Sequence, residues 1–69
     1  MTADEIGRRF AYHAPSDGQP ARYERIRAEA RDLAVTLDGL CPESRELDLA
    51  MTSLEQAVMW ANAAIARRE

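Results

Sequence analysis

The chain has no lysine: all nine of its basic residues are arginines. Arginine forks onto phosphate and carboxylate through two parallel hydrogen bonds, so this bias suits anion contact, although a GC-rich coding sequence produces the same bias. There is one cysteine, Cys41, which excludes an internal disulfide and fits a reducing compartment. There is one histidine, His13, and no His, Asp and Glu set at metal-ligand spacing, which argues against a metal centre. With three glycines in all, no glycine-rich phosphate loop can be assembled. A hydrolase needs a nucleophile with a positioned base, yet Cys41 precedes Pro42 at an expected turn and His13 stands alone. No apolar run approaches the roughly 18 residues of a membrane span and no signal peptide is recognisable, so the expectation is a soluble, non-exported chain without a membrane partner. The net charge of −3 argues against a DNA or RNA polymer as partner, since such binders are normally basic.

What is present is helical. Sixty-nine residues allow a single domain, which is marginal alone; without disulfides or metal the usual remaining support is self-association. The expected class is all-α: a short N-terminal helix over 1–10, a loop over 11–20, and an antiparallel hairpin of long helices over 21–41 and 43–68, assembled as a homo-oligomer. Thr2 is a suitable N-cap with Asp4 and Glu5 in the first turn. Pro15, Asp17-Gly18 and Pro20 mark the loop. Tyr23, Ile26, Ala30, Leu33, Leu37 and Leu40 recur three and four residues apart, as do Leu47, Met51, Leu54, Val58, Ala61 and Ile65. The connection around Cys41-Pro42 is short, so the two helices should lie side by side. Met59, Trp60 and Ala63 fall off the main stripe and are candidate subunit-interface residues, unless the N-terminal helix covers them within one chain.

Charge is uneven. Six arginines lie in the first 31 residues, an acidic middle follows, and Arg67 and Arg68 stand near the end. The densest chemistry is Arg8-Arg9-Phe10-Ala11-Tyr12-His13-Ala14-Pro15. Arginine beside exposed rings suits a ligand with both phosphate and base. The competing reading is a helix end whose rings plug a small core.

Four blocks then read together: Arg9-Phe10-Ala11-Tyr12-His13-Ala14-Pro15; Tyr23-Glu24-Arg25-Ile26-Arg27; Cys41-Pro42-Glu43-Ser44-Arg45-Glu46; and Leu54-Glu55-Gln56-Ala57-Val58-Met59-Trp60-Ala61-Asn62-Ala63-Ala64-Ile65-Ala66-Arg67. In that order and spacing they resemble the phage anti-CBASS sponge family, whose members sequester the cyclic oligonucleotide messengers of a bacterial antiphage defence. The resemblance implies a compact helical protomer in a homohexamer, acting in the cytoplasm of the infected bacterial host, without cofactor and without cleaving its ligand. It implies that cyclic dinucleotides such as 3′,3′-cGAMP are held between paired protomers, and that some members hold cyclic trinucleotides at separate sites shared by three.

Carried onto this chain, the resemblance makes Tyr12 a base-stacking ring and Arg27 a phosphate ligand, with His13 and Phe10 beside them. The family's pattern has lysine where Arg27 stands, a departure that keeps the charge and changes the geometry. Arg67, with Arg8 or Arg9, becomes the candidate trinucleotide set. A rival function of another class is a small helical protein-interaction module that uses Trp60 and Met59 and has no nucleotide ligand. A phosphodiesterase is the third and weakest reading.

Overall fold

A computed structural model describes residues 1–69 as three helices and no strand: α1 (Ala3–Arg9), α2 (Gln19–Leu40) and α3 (Arg45–Arg68). Each helix begins where local chemistry provides a cap. Thr2 Oγ1 accepts from the Glu5 amide at 3.1 Å, Asp4 and Glu5 occupy the first turn, and Arg8 and Arg9 the last, so α1 complements its own dipole at both ends. Gly18 caps α2 with φ 81°, a left-handed conformation that a side chain at this position would strain. That turn lets α2 begin at Gln19, two residues ahead of the expected 21. Pro20 sits in the first turn, where its missing N–H is harmless.

At the far end the Cys41 amide closes the last turn of α2 on the Leu37 carbonyl at 2.9 Å, and Pro42 prevents continuation. Ser44 Oγ donates to the Pro42 carbonyl at 3.0 Å and accepts from the Leu47 amide at 3.1 Å. This cap makes Arg45 the first residue of α3, two residues later than the expected 43. The hydroxyl outweighs the helical pattern of Glu43 because it satisfies an otherwise orphaned donor.

The helices have 22 and 24 residues, hence about 33 and 36 Å. Their antiparallel seam is thin. On α3 the expected stripe faces it throughout: Leu47 is 7% exposed, and Met51, Leu54, Val58, Ala61 and Ile65 are half-buried. On α2 Tyr23, Ile26, Ala30 and Leu37 are half-buried, but Leu33 and Leu40 are exposed and Ala34 takes the seam position.

The open end of the hairpin is closed by polar groups. Gln19 is 4% exposed. Its Oε1 accepts from the Ser16 amide at 3.0 Å, and its Nε2 donates to the Ile65 carbonyl at 3.3 Å and to Glu69 Oε1 at 3.2 Å. One side chain thus joins the loop, the start of α2 and the last turn of α3, and satisfies one of α3's unpaired carbonyls. Arg22 Nη1 donates to Glu69 Oε2 at 2.6 Å beside it. Arg68 Nη1 donates to Glu5 Oε2 at 2.9 Å and ties α1 to the end of α3.

The protomer measures 45 × 29 × 12 Å, one helix thick. Its radius of gyration is 15.2 Å, against about 11 Å for a compact domain of this length. Its surface is 5618 Å², against about 4,300 Å² for a compact protein of its mass. Phe10 and Tyr12 are 85% and 87% exposed, so their rings do not plug the core. Trp60 and Met59 are 68% and 65% exposed, so α1 does not cover the second face of α3.

Two outcomes follow. Gln19→Ala removes the side-chain partner of the Ser16 amide and of the Ile65 carbonyl and lowers stability by about 0.5–1.5 kcal/mol per hydrogen bond lost in urea denaturation. The hydrogen bond from Arg68 holds the Glu5 carboxyl at about 2, and that from Arg22 holds the Glu69 carboxyl at about 2, both below the ordinary 4.5. Folded values below unfolded ones mean that their stabilisation is complete above pH 4.5 and is lost as pH falls toward 2. Acid titration of the denaturation midpoint therefore shows a decline in that window, shallower in Glu5→Gln.

Candidate ligand-binding grooves

Two grooves open on the single protomer. The first, about 370 Å³, lies along the seam. Arg27 and Arg31 are one turn apart on α2 and share one face; Glu55 and Met59 are likewise spaced on α3, and Met51, Leu54 and Val58 form the apolar floor. Neither Arg27 nor Arg31 forms an ion pair within the chain. The Glu24–Arg27 pair that the spacing allows is not made; on this helix the pair formed is Arg25 Nε with Glu29 Oε1 at 3.3 Å. Two guanidiniums therefore stand beside an apolar surface with their donors available.

The second groove, about 500 Å³, lies between the end of α1 and the last turns of α3. Trp60, Ala63, Ala64 and Arg67 follow the three-and-four spacing of one helical face, and the alanines give it a flat floor. Arg9 and Phe10 approach from α1 and its cap, and Arg68 closes the edge. Arg9 Nε donates to Glu5 Oε1 at 3.1 Å, and Arg68 shares the same carboxylate. That hydrogen bond raises the Arg68 guanidinium further above its ordinary value, and Arg22 responds likewise to Glu69. Arg67 is half-buried and has no carboxylate partner.

The candidate dinucleotide residues do not meet in one chain. Arg27 lines the first groove, Phe10 lines the second, and Tyr12 lines neither and projects from the loop. His13 Nε2 donates to the Arg8 carbonyl at 2.8 Å, satisfying one of the last carbonyls of α1 and fixing the Nε2–H tautomer. Of the trinucleotide set, Arg67 and Arg9 share the second groove, whereas Arg8 turns to Glu5 at 3.6 Å. The candidate interface residues divide: Trp60 and Ala63 line the second groove, and Met59 the first.

Four further residues emerge from the geometry. Arg31 was legible as an i, i+4 partner of Arg27. Glu5, Gln19 and Arg68 were not, because their partners lie 46 to 63 residues away in sequence. Asn62 keeps a buried Oδ1 without a donor. No group of three His, Cys, Asp or Glu side chains gathers as a metal site, and no helix is long and apolar enough to cross a membrane. The grooves can hold anions by guanidinium forks and ring systems by apolar contact.

The family model for the Acb2/Tad1 hairpin domain matches residues 2–66. No curated protein and no solved structure gives a significant match. With nearly its full length matched, the chain belongs to the Acb2/Tad1 hairpin-domain family, the anti-CBASS cyclic-oligonucleotide sponges that its motifs resemble.

Proposed function

We propose that the protein sequesters cyclic dinucleotides of the 3′,3′-cGAMP type, without cleaving them, between paired protomers of a homohexamer in the cytoplasm of the infected bacterium. Cyclic trinucleotides occupy a separate site built from Arg67 with Arg9. The family supports the anti-CBASS sponge role in general. The observation that carries the ligand assignment is the pair of grooves that combine unpaired guanidinium with apolar or aromatic surface, open on one protomer.

The physics favours symmetry. A cyclic dinucleotide has two phosphates and two bases related by a near two-fold axis, and a two-fold protein interface supplies every group twice. One Arg27 per protomer forks onto one phosphate. One Tyr12 per protomer stacks on one base, worth about 1–3 kcal/mol per base. Tyr12 is free to do so because it has no packing role in its own chain. The site therefore assembles from two chains, which accounts for Tyr12 and Arg27 standing apart in one. A three-fold junction repeats the arrangement with Arg67 in triplicate. A slab one helix thick, with Trp60 and Met59 uncovered, supports self-association as the means of burying apolar surface.

Native mass spectrometry with a panel of cyclic di- and trinucleotides tests the reading. A hexamer that takes up ligand and releases it intact on denaturation is the expected result. An oligomer that ignores the panel points instead to a protein partner at Trp60 and Met59, and recovery of hydrolysed ligand to a phosphodiesterase. In the same assay Tyr12→Ala and Arg27→Ala keep the oligomer and lose dinucleotide affinity by about 10-fold or more, the value of a charged hydrogen bond or a stacked base. Arg67→Ala retains dinucleotide binding and loses the trinucleotide.

A further inference from the structure

We propose that Glu5 is the positioning residue of the second groove: its carboxylate, shared between Arg9 of α1 and Arg68 of α3, holds the groove's two walls together. This rests on the reading of that groove as an oligonucleotide site.

The walls come from different elements. Arg9 and Phe10 belong to α1 and its cap, whereas Trp60, Arg67 and Arg68 belong to the end of α3. The groove exists only while α1 is docked, and α1 has little to dock with. It has seven residues, too few to hold a helix alone, and buries none of them. Ile6, its one large aliphatic side chain, is exposed. The direct polar contacts between α1 and α3 are the hydrogen bonds that Glu5 accepts from Arg68 Nη1 at 2.9 Å and from Arg68 Nη2, and Arg9 Nε of the same helix donates to that carboxylate at 3.1 Å.

Charge and position agree with positioning rather than ligand contact. Glu5 lies outside the groove's lining, while both arginines it holds line it. Arg9, Arg67 and Arg68 set three guanidiniums against this one carboxylate, so the groove stays attractive to an anion. The carboxylate restrains two long side chains before ligand arrives, reducing the rotamer freedom lost on binding. The depression of its carboxyl to about 2 by Arg68 keeps it ionised at every pH at which a cell operates.

The test compares Glu5→Gln, which keeps side-chain length and removes the charge, with the unaltered protein. Binding of cyclic triadenylate and of 3′,3′-cGAMP is measured by calorimetry across a range of salt concentrations. The expected result is trinucleotide affinity at least tenfold lower, dinucleotide affinity within twofold, and a shallower dependence of log K on log salt for the trinucleotide. An arginine that no longer reaches its phosphate removes one screened charge–charge contact and so weakens the salt dependence, a change that general loosening of the fold does not produce. Equal affinity and slope in the two proteins overturns the positioning role while leaving the groove assigned. Tighter trinucleotide binding by Glu5→Gln overturns it in favour of Glu5 as a competitor for the arginines. Joint loss of both ligands makes Glu5 a scaffold residue and likewise overturns it. Failure of the unaltered protein to bind cyclic triadenylate while it binds 3′,3′-cGAMP removes the groove reading itself, and the inference with it.

Discussion

The structure depends on a hairpin seam one residue deep. Two helices laid side by side bury only the stripe where they touch, and Leu47 is the single buried hydrophobic residue. That contact lies near the turn. At the open end the corresponding role falls to Gln19, a polar residue buried because its amide satisfies the Ser16 amide, the Ile65 carbonyl and Glu69 together. A buried amide is tolerable only when it is paired, and each of its partners would otherwise be an exposed helix or loop terminus. The loop that presents Tyr12 and His13 is thus anchored through the same side chain that closes the hairpin.

Eight of the nine arginines divide by partner, and Arg45 neither pairs with a carboxylate nor lines a groove. Arg8, Arg9 and Arg68 gather around Glu5, Arg22 meets Glu69, and Arg25 meets Glu29. Arg27, Arg31 and Arg67 have no carboxylate and line grooves. Exposed pairs of the first kind contribute little singly, but around Glu5 they converge on one acceptor and connect elements that share almost no apolar contact. The arginines without a carboxylate stand beside apolar surface, the combination that a phosphate-and-base ligand requires. An acidic chain can still present unpaired arginines, because only Glu5, Glu29 and Glu69 of its twelve acidic residues form ion pairs.

A protomer this thin leaves Phe10, Tyr12, Met59 and Trp60 uncovered. These are the residues that the sequence marks as chemically dense or off the helical stripe. Their exposure follows from a protomer one helix thick, which has no second layer to cover them.

Periodicity and caps determined the three helices, the hairpin and the whole apolar stripe of α3, because these are local properties of residues three and four apart. The family was legible as well, since its motif blocks are contiguous. The sequence placed Leu33 and Leu40 in the seam, where the hairpin turns Ala34 inward and leaves both exposed, because the fine register of two helices depends on both surfaces at once. It offered Glu24 to Arg27, although that arginine remains free. Only the tertiary structure joined Glu5 to Arg68 and Gln19 to Ile65, pairs that no local spacing announces. It also divided Phe10 from Arg27 and brought Phe10 to Trp60, because the fold of α1 against α3 sets which side chains share a groove.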